Sequence, residues 1–245
     1  MSETWIILGG TSAIARAFAR KCAASGASLL LAGRDLPELK RIATDCSLRG
    51  AASARAVAFD ARKPAKFDAL IAEAVESGGS LNAAVFVGSM PEQSEIDQDP
   101  ELIDGVVQDS FTGPIRFLHL LAPHMEERES GTIIGVGSVA GDRGRVGNYV
   151  YGAAKAGFHA YLSGLRNRLG RKGVHVVTAK PGFVDTGMTW GIEGMFLVAG
   201  PEDVADSLLN AVKKKRNVIY TPWFWRYIML IIRSVPEFIF KKLSI

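Results

Sequence analysis

Ser138, Tyr151 and Lys155 place a hydroxyl, a phenol and an amine at intervals of thirteen and four residues. Residues four apart share one face of a helix. A phenol has an ordinary pKa of about 10. An ammonium beside it favours phenolate and lowers that value. A phenol tuned in this way can protonate a carbonyl oxygen as hydride arrives at the carbon. Ser138 follows the apolar run 132–136, so its hydroxyl stands at a strand end and can donate to the same oxygen. A Tyr-x-x-x-Lys pair alone is ordinarily surface or packing. The upstream serine and a nucleotide turn elsewhere in the chain give this pair its meaning.

The elements that must position these groups follow from periodicity. Short apolar runs predict strands over 5–8, 28–32, 55–59, 83–87, 132–137, 174–179 and 217–220. Helical patterns fall between them, over 13–25, 37–48, 64–77, 101–129, 148–170 and 201–215. Pro114 and Pro123 limit the regularity of the long fourth helix. This alternation predicts a Rossmann-like, doubly wound parallel sheet of seven strands with helices on both faces. At 245 residues and 48% hydrophobic content, the chain can bury one such domain, and no Pro/Gly/Ser linker divides it. We expect a catalytic domain over 1–221 and a helical tail over 222–245.

The first strand ends in Gly9-Gly10-Thr11-Ser12-Ala13-Ile14-Ala15. A glycine turn leading into a helix can hold a pyrophosphate on backbone N–H groups, with the helix dipole favouring the anion. Alanine at 13 and 15 stands where dinucleotide folds usually have glycine, so a tight turn without a ligand is the competing explanation. The second strand ends in Gly33-Arg34-Asp35. An arginine there suits a 2′-phosphate, whereas an acid would bind a ribose 2′-hydroxyl. NADP(H) is therefore favoured, with Asp35 keeping NAD(H) open. Asp60 closes the third strand, either as an acceptor for adenine or as a cap.

Cys22 and Cys46 lack metal-ligand spacing and suit a reducing compartment. The four histidines, 119, 124, 159 and 175, are scattered and read as structural or surface, so no metal is expected. The N-terminus lacks a basic region and a cleavage site, so we expect a cytoplasmic protein. Charge is concentrated at the other end. From Lys213 onward, eight Lys/Arg face one acid, Glu237, while the whole chain carries +4, so residues 1–212 are net negative. A basic tail on an acidic body argues against nucleic acid and for something local, such as an anionic membrane. The tail from Pro222 is rich in Trp, Phe and Ile, but its uncharged run 227–232 is far short of the roughly 20 residues a span requires. Pro236 divides it into two short helices. It suits a helix lying in the headgroup region, on the inner face of the cytoplasmic membrane, or packing on the body or across a dimer. Residues 187–199, with Met188, Trp190, Met195, Phe196 and Leu197, read as an apolar lid or a packed loop.

Over residues 4–220 the sequence resembles the short-chain dehydrogenase/reductases. The matching features are the turn at 9–15, Gly33-Arg34, Asp60, Ser138, Tyr151-x-x-x-Lys155 and Lys180-Pro-Gly-Phe-Val-Asp-Thr186. The resemblance implies Tyr151 as catalytic acid/base, Lys155 as its pKa modulator and ribose ligand, and Ser138 as the group that orients the carbonyl. Gly9, Thr11, Ser12, Ala13, Ile14, Arg34, Asp60 and Gly88 would bind the cofactor. Pro181, Gly182 and Val184 would line the nicotinamide, and Thr186 would touch its amide or the pyrophosphate. It also implies a homo-oligomer, a dimer or tetramer. Two departures stand out. Val85-Phe86-Val87-Gly88 replaces the family's Asn-Asn-Ala-Gly, and Ser110 takes the place of the asparagine that holds a relay water. The tail, the alanines of the turn and the lost Asn-Asn-Ala-Gly together are similar to the decaprenylphosphoryl-2-keto-ribose reductases, which implies a keto-sugar on a lipid carrier as substrate. A small soluble carbonyl, and a nucleotide-binding scaffold without chemistry, are the alternatives.

Overall fold

The computed structural model describes residues 3–188 and 197–243. Seven parallel strands form one sheet: β1 (Glu3–Leu8), β2 (Ser28–Gly33), β3 (Ser53–Ala58), β4 (Ser80–Val85), β5 (Thr132–Val136), β6 (His175–Pro181) and β7 (Val218–Thr221). Their order is β3-β2-β1-β4-β5-β6-β7. The chain therefore reverses direction across the sheet between β1 and β4, and the strand ends on either side of that crevice make the usual ligand edge of such sheets.

Helices α1 (Ala13–Ala24), α2 (Leu36–Leu48) and α8 (Pro201–Lys213) cover one face. Their core includes Phe18, Leu39 and Leu208 beneath Ile7 and Leu31. On the other face, α3 (Phe67–Glu76), α6 (Gly113–Arg128) and α7 (Tyr149–Gly170) bury Phe67, Phe117 and Phe158 against Ile6, Leu8 and Ile133. The central strands β1, β2, β4 and β5 are almost entirely buried, as strands covered by helices on both faces are.

Two expectations are corrected. The fourth strand spans 80–85, not 83–87. Asn82 disguises its start: buried in the strand, it donates to Ser80 C=O at 3.0 Å and accepts the Thr132 N–H at 2.8 Å. A satisfied buried amide carries no hydrophobic signal. The long helix expected over 101–129 is broken. A short α4 (Gln93–Gln98) precedes α5 (Leu102–Val107), and a π-turn over Gln108–Thr112 separates α5 from α6. Pro114 supplies no N–H to the α-helical ladder, and Gly113 lies so close to the segment after β3 that a Cβ would stand 2.3 Å from Ala61 O.

The tail forms α9 (Trp225–Ser234) and α10 (Glu237–Phe240), divided at Pro236. The inward face of α9 docks Trp225 and Met229 on Val139, Phe183 and Tyr220. Arg143 fixes its far end by donating to the carbonyls of Ile232 and Val235, each at 2.6 Å, while stacking over the Phe240 ring. Gly182 admits this packing, because a Cβ there would lie 1.9 Å from Trp225 Nε1. Within the segment read as a lid, Met188 and Leu197 are exposed; Trp190, Met195 and Phe196 lie outside the described residues.

Candidate active site

Every residue of the expected site lies at the C-terminal edge of the sheet or in the helix turns that follow it. Ser138 stands two residues beyond β5 and opens a 3₁₀ turn, Val139–Asp142, accepting the Ala140 N–H on its hydroxyl at 3.1 Å. Its own N–H donates to His159 Nε2 at 3.3 Å. Gly137 makes room for that imidazole, since a Cβ would stand 2.1 Å from Nε2. Burial pushes the His159 pKa down to about 3, so the ring is neutral and can accept.

Tyr151 lies in the first turn of α7 and Lys155 one turn later, both buried. Ser138 is hydrogen-bonded to the phenol. Lys155 Nζ donates to Val136 C=O at 3.1 Å and Val87 C=O at 3.5 Å, on the adjacent strand ends. Gly88 keeps this corner open, because a Cβ there would meet Ser110 Oγ at 3.2 Å and Lys155 Nζ at 3.3 Å. Ser110, in the π-turn, accepts the Ser89 N–H at 3.2 Å and donates to the Ser89 C=O at 3.3 Å. It thereby ties the helix to the loop that replaces Asn-Asn-Ala-Gly.

The electrostatics correct one expectation. The sequence reading has the Lys155 ammonium lower the Tyr151 pKa. In the structure, burial dominates and pushes the phenol up to about 12, against lowering by the Ser138 hydrogen bond and the Arg145 charge. Burial likewise pulls Lys155 down to about 8, so its charge is lost at a lower pH than an ordinary lysine's.

At the nucleotide turn, Gly9 has φ +79°, and a Cβ on Gly10 would press Leu39 at 2.9 Å. Ser12 caps α1 through the Ala15 N–H at 3.2 Å. The N–H groups of Ala13 and Ile14 head the helix and have no acceptor within it. Arg16 braces the turn by donating to Thr11 C=O at 3.0 Å. This backbone cradle fits a pyrophosphate. Arg34 is exposed at the end of β2. Asp35 is engaged as the cap of α2, accepting the Glu38 N–H at 3.0 Å. Asp60 accepts the Arg62 N–H at 3.0 Å within a local turn and pairs with Lys63; it caps no helix, because the 3₁₀ helix that follows starts from Lys63 without a side-chain cap. Pro181, the last residue of β6, and Val184, beyond it, are buried, Val184 bridging to Ala199, while Gly182 and Thr186 are half-buried. Among the described residues no cluster of side chains could hold a metal.

Sequence reasoning missed a set of groups behind the serine turn. Asp142 receives Lys180 Nζ at 2.5 Å and the Tyr220 hydroxyl at 2.6 Å, with His159 Nδ1 at 3.7 Å. Lys180 directly precedes Pro181-Gly182, so this carboxylate ties the serine turn to the loop after β6. Only the proximity of Asp142 to Ser138 hinted at it.

Known proteins resemble the chain along its length. The family model for short chain dehydrogenases matches residues 3–195. An uncharacterized oxidoreductase of Mycobacterium tuberculosis is 33% identical over 239 residues, 97% of this chain and 96% of the relative. One from Streptomyces coelicolor is 31% identical, covering 98% and 95%. Among solved structures, a short chain dehydrogenase/reductase family protein aligns with a TM-score of 0.79 at 27% identity, over 89% of this chain and 94% of the other. A short-chain dehydrogenase from Sphingobium yanoikuyae, in complex with NADPH, has the same fold with a TM-score of 0.80 at 22% identity, over 97% of each. The chain belongs to the short-chain dehydrogenase family and is an NAD(P)-dependent oxidoreductase.

Proposed function

We propose that the enzyme is an NADP(H)-dependent carbonyl reductase that uses Ser138, Tyr151 and Lys155 as its catalytic set. The observation that carries this reading is the meeting of the three groups beside the strand-end crevice, with the glycine turn at its other side. When bound, the nicotinamide supplies hydride to the carbonyl carbon. Ser138 orients the carbonyl oxygen, and Tyr151 delivers its phenolic proton to that oxygen. With a pKa pushed up to about 12, the phenol is protonated at neutral pH and ready to donate. Lys155, near 8, is mostly protonated at neutral pH and available to a ribose hydroxyl. The 2′-phosphate is assigned to Arg34, since Asp35 is engaged in capping α2.

The substrate we assign is a keto group on a lipid carrier, and the site of action the cytoplasmic face of a membrane. Support comes from the outward side of the tail, where Trp223, Tyr227, Leu230, Ile231 and Phe238 are exposed beside Arg226, Arg233, Lys241 and Lys242. Apolar side chains interleaved with cations fit the interface of an anionic bilayer. No helix among the described residues is long and apolar enough to cross one.

The test is NADPH oxidation by the full chain against lipid extracts and aqueous extracts side by side, with Tyr151→Phe as control. We expect turnover with the lipid extract, and at least a hundredfold loss in Tyr151→Phe with NADPH affinity retained. Undiminished turnover in Tyr151→Phe would sink the mechanism, and turnover confined to the aqueous extract would sink the lipid-linked substrate.

A further inference from the structure

Between the serine turn and α7 the chain holds two buried polar atoms with no protein partner. Arg145 Nε and Asn148 Oδ1 are shielded from solvent and make no hydrogen bond among the described residues. The Asn148 N–H donates to Arg145 C=O at 3.2 Å, so the two belong to one tight turn at the head of the helix that carries Tyr151. The acid that Arg145 feels most, Asp142, is already engaged by Lys180 and Tyr220. The contrast with Arg143, two residues earlier, is direct. That guanidinium is committed to Ile232, Val235 and Glu237 of the tail.

A buried guanidinium nitrogen without an acceptor is costly, and native chains keep few such atoms. What Arg145 lacks is an acceptor, and its fork matches phosphate and carboxylate oxygens. We propose that Arg145 binds an anionic oxygen group, a phosphate ester or carboxylate, that the substrate carries close to its reactive carbonyl, and that Asn148 Oδ1 accepts from a hydroxyl of the same molecule. The inference rests on the carbonyl-reductase reading and narrows its substrate to anionic hydroxyketones. The Arg145 charge also acts on the Tyr151 phenol. An anion seated on Arg145 offsets that charge and so helps to keep the phenol protonated until it donates.

The test is calorimetric titration of glycerol 3-phosphate into the full chain saturated with NADP+, with glycerol as the uncharged comparison. Arg145→Gln is expected to weaken phosphate-ester binding at least tenfold. Arg145→Lys, which keeps the charge and loses the fork, falls between. Arg171→Gln, at an exposed site past the end of α7, controls for general charge loss and leaves the affinity unchanged. NADP+ affinity and thermal midpoint, measured on the same samples, stay close to those of the parent protein. A second titration with a polyprenyl phosphate in detergent distinguishes the sources: tighter binding than glycerol 3-phosphate marks a lipid-linked anion, equal binding a water-soluble one, and either supports the anion site. If the parent protein does not bind the phosphate ester, or Arg145→Gln binds it equally well, the proposal is overturned. Failure of the broader reading looks different, as loss of NADP+ binding in the parent protein or full turnover in Tyr151→Phe.

Discussion

Lys155 and Tyr151 are each held against their ordinary ionisation by burial, and this has a measurable consequence for Lys155. Its folded pKa of about 8 lies below the ordinary lysine value. Below pH 8 the amine is charged in both folded and unfolded chains, and burial of that charge opposes folding. Between pH 8 and 10.5 the folded protein sheds the proton while the unfolded chain keeps it, so stability gained from this residue rises with pH. We therefore expect the stability difference between the parent protein and Lys155→Met to move in favour of the parent across that window, by up to about 1.4 kcal/mol per pH unit. Urea denaturation at pH 7, 8.5 and 10 measures it, and a difference that does not change with pH would show that the amine is solvated rather than buried. The pair itself was legible in the sequence because its spacing is local: one helix turn joins Tyr151 to Lys155, and Ser138 sits at the end of an apolar run. The direction of the pKa shifts was not legible, because burial depends on Ala140, Ile96 and Val106, which come from three separate elements.

The serine turn, β6, β7 and α7 are joined at Asp142. This carboxylate is 3% exposed and receives a lysine from one strand and a tyrosine from another. Removing one partner of a buried ion pair leaves the other charge uncompensated, at about 3–5 kcal/mol. Asp142→Asn should therefore destabilise the protein by roughly that amount. The double variant Asp142→Asn/Lys180→Met should recover much of the loss, since no unpaired charge remains. Chemical denaturation of the three proteins measures this, and an Asp142→Asn loss below about 1 kcal/mol would show that the pair is solvated. The role of Asp142 could not be read from the chain, because its partners lie 38 and 78 residues away. The break of the 101–129 helix was hidden for a related reason. A π-turn adds one residue to a turn without altering composition, and Pro114 was the only local cue. The alternation of strands and helices, by contrast, is a local signal, and the seven-stranded doubly wound parallel sheet it predicts is the one the structure has.

At the scale of the whole molecule, the tail has two sides. Its inner side, Trp225 and Met229, is core, and this changes how the membrane reading must be tested. Ending the chain at Thr221 would strip cover from Val139, Phe183 and Tyr220 beside the serine turn, so lost binding would be confounded with lost structure. The outer side can be altered alone. Leu230 and Ile231 are 61% and 68% exposed, on a helix that also presents Arg226 and Arg233 to solvent. Inserting such side chains into the acyl boundary gains hydrophobic free energy, and each cation near an anionic surface adds about 1 kcal/mol. Because solvent already surrounds both side chains, Leu230→Ser/Ile231→Ser should leave the fold intact, with the thermal midpoint within a few degrees. The full chain is expected to float with vesicles containing phosphatidylserine and to release as salt is raised, through screening of the cations. The double variant should stay in the unbound fraction. If the parent protein does not float, and the double variant instead converts a dimer to a monomer on size exclusion, this surface is a contact between copies of the chain, and the membrane reading falls.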